Sequence, residues 1–210
     1  MTDAPDSGET DIEAGRRFFA RPWRFVMGAP DADALPPAAG TEIAFAGRSN
    51  VGKSSLINAL TGQRGLARVS GTPGRTRELN FFACGEGFFL VDLPGYGYAR
   101  GRNEAWMRLM LGYLRGRPNL RRVFLLIDAR HGMKANDAAM LDLLDRAAVS
   151  YQIVLTKADK PKPGDLAAVT AAVAAAIVRR PAAHPAILVT SAETGTGLSE
   201  LRAAIAQLAV

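Results

Sequence analysis

The chain has 210 residues, of which 48% are hydrophobic and 22% charged, and its net charge is +6 at neutral pH. That length suits one well-packed domain, and the composition is that of a globular protein rather than a disordered or fibrous one. The single cysteine, Cys84, excludes an internal disulfide framework and suits a reducing cytoplasm. The longest apolar run, 171–178, is too short to span a bilayer and leads into Arg179 and Arg180.

In chain order, the first thirteen residues carry five acidic groups and no base, which argues against a signal peptide. Residues 1–22 read as an acidic, disordered lead. Residues 23–37 form a packing segment, and the apolar stretch in "RPWRFVMG" is either an edge strand or an irregular contact. From 38 to 210 short apolar runs alternate with helical patterns, which predicts one α/β domain. Strands are predicted over 43–46, 79–84, 88–93, 123–128, 152–156 and 186–190. Helices fit 53–60, 104–114, 135–146, 166–180 and 198–208. The result is a six-stranded, mostly parallel sheet with helices on both faces. "CGEG" between the second and third strands is a hairpin turn, so one strand runs antiparallel.

The first strand leads into "GRSNVGKSS", which opens a helix, the strand–loop–helix setting of a phosphate-binding loop. Gly47, Arg48, Ser49, Asn50, Val51 and Gly52 curl the backbone so that N–H groups face a β-phosphate. Lys53 adds positive charge at the β- and γ-phosphates, reinforced by the helix N-terminus. Ser54, followed by Ser55, offers a hydroxyl to Mg²⁺. Residues 63–78 lack a period and contain "SGTPGRTR", which reads as a mobile loop. Within it Gly74, Arg75 and Thr76 are expected beside the nucleotide. Thr76 is expected to close onto Mg²⁺ in the GTP state, with Thr72 as the alternative.

The third strand ends in "DLPGYGYAR". Asp92 can hold Mg²⁺ through a water, Leu93 and Pro94 shape the turn, and the Gly95 N–H can meet a γ-phosphate. Tyr96 stands where a water-orienting Gln is the expected residue of a hydrolase. A phenol cannot act as that amide does, so its expected role is to anchor the loop. Hydrolysis then rests on Lys53, Thr76, Gly95 and one additional positive charge. K⁺ held by Asn50 is one source of that charge and Arg75 another; a purely structural Asn50 stays open. The segment 100–122 holds Arg100, Arg102, Arg108, Arg115, Arg117, Arg121 and Arg122 against Glu104 alone. It is either a solvated face or a footprint for phosphate-rich RNA.

"TKAD" ends the fifth strand and "TSAETG" the sixth. The Asp159 carboxylate matches the N1–H and 2-amino donors of guanine, which adenine does not present. Thr156 and Ala158 frame it, and Lys157 can lay its stem across the base. Thr190 and Ser191 lead to Ala192, whose N–H can reach guanine O6. These loops sit at the carboxyl ends of strands, where α/β sheets bind ligands. A GTP or GDP site follows, and a metabolic P-loop kinase is disfavoured.

"EIAFAGRSNVGKSSLINAL", "PGRTRELNFF", "VDLPGYGYA", "LIDARHG", "TKADK" and "TSAETGTG" together resemble the EngB (YsxC/YihA) GTPases, within the translation-factor-related class. The resemblance covers roughly residues 23 to 208. It implies a single G domain that binds Mg²⁺ and GTP, assists assembly of the 50S ribosomal subunit, with ribosomal RNA met through Arg100–Arg122, and serves septation and cell division; a cytoplasmic monomer that hydrolyses GTP slowly is expected. Arg75 and Arg77 depart from the Lys and Gln that the family leads one to expect. A non-catalytic GTP-sensing scaffold at the division site is the rival reading.

Overall fold

Residues 7–68, 78–97 and 104–209 are described in a computed structural model of the chain. Helix α1 (Ser7–Phe19) and strand β1 (Trp23–Ala29) precede β2 (Thr41–Gly47), α2 (Lys53–Thr61), β3 (Leu79–Cys84) and β4 (Phe88–Asp92). They are followed by α3 (Glu104–Gly116), β5 (Leu120–Asp128), α4 (Ala135–Arg146), β6 (Tyr151–Thr156), α5 (Pro163–Ile177), β7 (Leu188–Val189) and α6 (Leu198–Ala206).

The strands form one sheet in the order β1-β3-β4-β2-β5-β6-β7. Strand β3 pairs antiparallel with both β1 and β4, and the remaining neighbours pair in parallel. The hairpin predicted at "CGEG" is present, with Gly85 and Gly87 at φ 61° and 103°. The sheet has seven strands rather than six, because Trp23–Ala29 pairs with β3 along the edge.

Successive side chains of the inner strands serve two cores, the period-2 consequence of a sheet covered on both faces. Ala44, Ala46, Val123, Leu125, Ile127, Ile153 and Leu155 pack under α3, α4 and α5. Ile43, Phe45, Phe124, Leu126 and Val154 pack with α2, α6 and the end of α1. This double burial holds the strand ends rigid, and the loops that leave them inherit fixed origins.

Two expectations are corrected. The lead is not disordered over 7–19, where the chain is helical. Gly15, Phe18 and Phe19 recur at i, i+3 and i+4 and face the domain, while Glu13 pairs with Arg16 and Arg17 on the outside. A Cβ on Gly15 would fall 2.6 Å from the Ala203 nitrogen, so α1 and α6 touch almost backbone to backbone. The arginine segment is also not uniformly exposed. Arg117 is buried, pairs with the buried Glu42 and donates to the Pro36 carbonyl. Arg122 is half-buried and donates to Gln152 Oε1 at 3.0 Å. Arg108, Arg115 and Arg121 are exposed, whereas Arg100 and Arg102 lie outside the described residues.

Candidate nucleotide site

The loops after β2, β4, β6 and β7 meet at the carboxyl edge of the sheet, and hydrogen bonds link each to the next. Leaving β2, the chain turns through Asn50 at φ 64° and Gly52 at φ 102° before α2 starts. Left-handed backbone costs little at Asn or Gly. The turn aims the first N–H groups of α2, at Lys53, Ser54 and Ser55, out of the helix end, where geometry gives them no intrahelical acceptor.

Residues 48 and 96 form a parallel bridge that joins this loop to the one after β4. The Ser49 N–H donates to the Tyr96 carbonyl at 3.1 Å, and the Tyr96 N–H donates to the Gly47 carbonyl at 3.3 Å. Gly95 sits so close that an added Cβ would lie 3.0 Å from Ser49 Oγ and 3.2 Å from its Cα. Leu93 and Pro94 are buried beneath it, and the Leu93 N–H donates to the Phe45 carbonyl at 2.9 Å. Tyr96 packs into the core, the place expected of an anchor for the loop. Burial first, and the negative charge of Asp137 second, push its phenol well above the ordinary range, so it remains a donor.

The Asp92 side chain is buried and its Oδ1 pairs with Lys53 Nζ. Burial raises the Asp92 carboxyl above its usual range and the Lys53 ammonium draws it part of the way back. A buried carboxylate beside the first turn of α2, with the Ser54 hydroxyl next in sequence to Lys53, is hard oxygen chemistry suited to Mg²⁺. That ion takes one or two protein ligands and completes its shell with phosphate and water. Among the described residues no group of three or more acidic, His or Cys side chains gathers into a larger metal cage. Gly74, Arg75, Thr76 and the alternative Thr72 lie outside the described residues.

On the base side, Thr156 Oγ1 donates to the Val51 carbonyl at 2.7 Å and Lys157 Nζ donates to the Asn50 carbonyl at 2.7 Å. Lys157 has φ 57°, and its stem passes over Gly52. The Ala158 N–H donates to the Thr190 carbonyl at 3.1 Å, which binds the β6 loop to the β7 loop. Ser191 Oγ donates to Asp159 Oδ1 at 2.7 Å. The Lys160 ammonium and then this hydroxyl hold the Asp159 carboxyl below its ordinary value, so it stays an acceptor. Ala192 follows directly, partly exposed.

Two acidic residues escaped the sequence reading. Asp128 ends β5 as Asp92 ends β4, and its Oδ2 accepts Lys157 Nζ at 2.9 Å and Arg130 Nη2 at 2.7 Å. Burial raises its carboxyl, but Arg130 and Lys157 more than offset that and hold it far below the usual range. Asp137, on α4, receives the Tyr96 hydroxyl. The repeated pattern of an apolar strand closing on Asp, "FFLVD" and "FLLID", was the available signal for Asp128.

A family model described as 50S ribosome-binding GTPase matches residues 42–157. A Granulibacter bethesdensis protein named probable GTP-binding protein EngB is 56% identical over 210 residues, spanning 97% of this chain and 94% of that one. A Caulobacter vibrioides protein of the same name is 57% identical over 213 residues, spanning 100% of this chain and 93% of its own. The chain belongs to the EngB family. It is therefore a GTP-binding protein and a GTPase, which sets aside the non-catalytic reading. The crystal structure of a probable GTP-binding protein engB, 22% identical, aligns with a TM-score of 0.61 over 80% of this chain and 98% of that one. That likeness bears on the EngB fold. No helix among the described residues is long and apolar enough to cross a membrane.

Proposed function

We propose that this GTPase is a slow, Mg²⁺-dependent cytoplasmic switch, monomeric, that assists assembly of the 50S ribosomal subunit and through it supports septation and cell division. The observation that carries the reading is the linkage of the phosphate loop to both the Asp92–Gly95 loop and the base loops. A change at the γ-phosphate reaches Gly95 without passing through the guanine pocket, so nucleotide state can alter one side of the site alone. The family description as ribosome-binding supports the partner.

In this reading Asp159, Lys157 and the Ala192 N–H select guanine. Lys53 and the first turn of α2 hold the phosphates, and Ser54, Asp92 and Thr76 are the residues for Mg²⁺. When bound, the ion neutralises charge on the β- and γ-phosphate oxygens. The Gly95 N–H meets the γ-phosphate and orders the loop it belongs to. Asn50, whose side chain is exposed at the mouth of the loop, holds K⁺ where charge develops between the β- and γ-phosphates. Exposed Arg108, Arg115 and Arg121 contact ribosomal RNA. Sedimentation with 50S particles tests the switch: binding is expected with GTP and not with GDP or empty buffer. Equal binding in all three would refute nucleotide control. Hydrolysis in K⁺ should exceed that in Na⁺ by about tenfold, and equal rates would remove the cation from Asn50.

A further inference from the structure

The Asp137 carboxylate is completely buried, at 0% exposure, under the loop that follows β4. Such a group must have every lone pair occupied and its charge answered. Its Oδ1 accepts the Tyr96 hydroxyl at 2.9 Å, and its Oδ2 accepts the Lys134 N–H at the start of α4, also at 2.9 Å. The charge is answered by Arg48, whose Nε stands 3.3 Å from Oδ2 as an ion pair without hydrogen-bond alignment. Arg48 belongs to the phosphate loop and Tyr96 to the loop that carries Gly95. One carboxylate thus holds side chains from both loops, at the same two residues whose backbones form the bridge.

We infer that Asp137 is a positioning residue for GTP hydrolysis, acting through Tyr96 and Arg48 to fix the Gly95 N–H against the phosphate loop. The inference rests on the proposed contact between Gly95 and the γ-phosphate. Gly95 immediately precedes the anchored ring, and the chain turns at Gly97, φ 92°, directly beyond it. Residues 93–96 are therefore held from both ends: by the Leu93 N–H on β2 and by the Tyr96 hydroxyl on α4. The latch does not touch the base loops, and without it the phosphate loop keeps its ties to Thr156 and Lys157 through the Val51 and Asn50 carbonyls, so its removal weakens what the γ-phosphate needs and leaves what GDP needs.

The test measures single-turnover GTP hydrolysis and GDP affinity for Tyr96→Phe, Asp137→Asn, their combination and Gly95→Ala. Tyr96→Phe keeps the ring in its pocket and removes only the hydroxyl, so it remains informative if Asp137→Asn folds poorly. Tyr96→Phe and Asp137→Asn should each slow hydrolysis about tenfold with GDP affinity unchanged within about twofold, and the double variant should be no slower than the slower single one. A wild-type rate in Tyr96→Phe with a slow Gly95→Ala overturns the latch and spares the Gly95 reading. Wild-type rates in both overturn both. Parallel loss of hydrolysis and GDP affinity makes Asp137 a structural residue only and overturns the inference.

Discussion

Thr156 Oγ1 donates to the Val51 carbonyl across 105 positions of sequence, a buried bond of 2.7 Å that ties the end of β6 to the phosphate loop. Thr156→Val preserves the shape and deletes the donor, leaving the Val51 carbonyl short of a partner at a cost of about 1–3 kcal/mol. Because this bond supports the loop under the β-phosphate, GTP and GDP affinities should fall by the same factor. Calorimetric titration of both nucleotides checks it. A loss confined to GTP would mean that Thr156 acts on the γ-phosphate side instead.

Asp159→Asn should weaken GTP by about a hundredfold, roughly 2.7 kcal/mol, and shift preference toward xanthine nucleotides. The amide can still accept the Ser191 hydroxyl, so the loop keeps its form while one acceptor facing the base becomes a donor. Competition between GTP and XTP for the variant reads the outcome. Unchanged GTP affinity would place the base elsewhere.

Asp128 gives the chain a signature in acid. Its folded carboxyl is depressed by Arg130 and Lys157, so its stabilising contribution is complete above the unfolded value, about 3.9, and fades as pH falls through the folded one. Wild type should melt above Asp128→Asn by a constant margin from pH 7 to about 5, and the margin should close only below about 4. A margin that closed near neutrality would show that the pair with Lys157 is not what holds this carboxylate.

The arginines divide by burial. Replacing Arg117 with Gln leaves Glu42 buried without its cation, and such a break costs about 3–5 kcal/mol. Chemical denaturation should show it directly. Replacing Arg108, Arg115 and Arg121 together should leave stability and GTP affinity alone. It should also flatten the salt dependence of 50S binding, by up to about 0.7 in log–log slope for each single-stranded RNA phosphate that no longer meets an arginine. An unchanged slope would make this face a solvated one.

The readable parts of the chain share a property. "GRSNVGKSS", "TKAD" and "TSAETG" are each read from contiguous backbone and one or two side chains, so the order of residues carries most of the expected geometry. Tyr96 was legible as an anchor from its bulk, but its acceptor was not, since Asp137 lies 41 positions away on another element. Arg117 looked like surface because Glu42, which neutralises it, is 75 positions distant. The helix at the start was hidden by its run of acids, while its docking rests on Gly15, Phe18 and Phe19, with Asp11 bonded to Gln207. Strand β1 was ambiguous for the same reason: an edge strand is defined by a neighbour that local pattern does not name.

The contact between α1 and α6 has a consequence for how the chain comes into being. Asp11 receives Gln207 Nε2 at 2.7 Å across 196 positions, and Gly15 rests on the backbone at Ala203. During synthesis the first helix emerges long before the surface it docks against, and loop closure over such a span is slow relative to local pairing. Phe18 and Phe19 can settle on Trp23 and Phe88 once β4 has emerged, but Gly15 and Asp11 have no surface to meet until α6 has cleared the exit tunnel. Completion of the dock between the first helix and α6 is then expected late in folding, after β7 and the loop that follows it have been made.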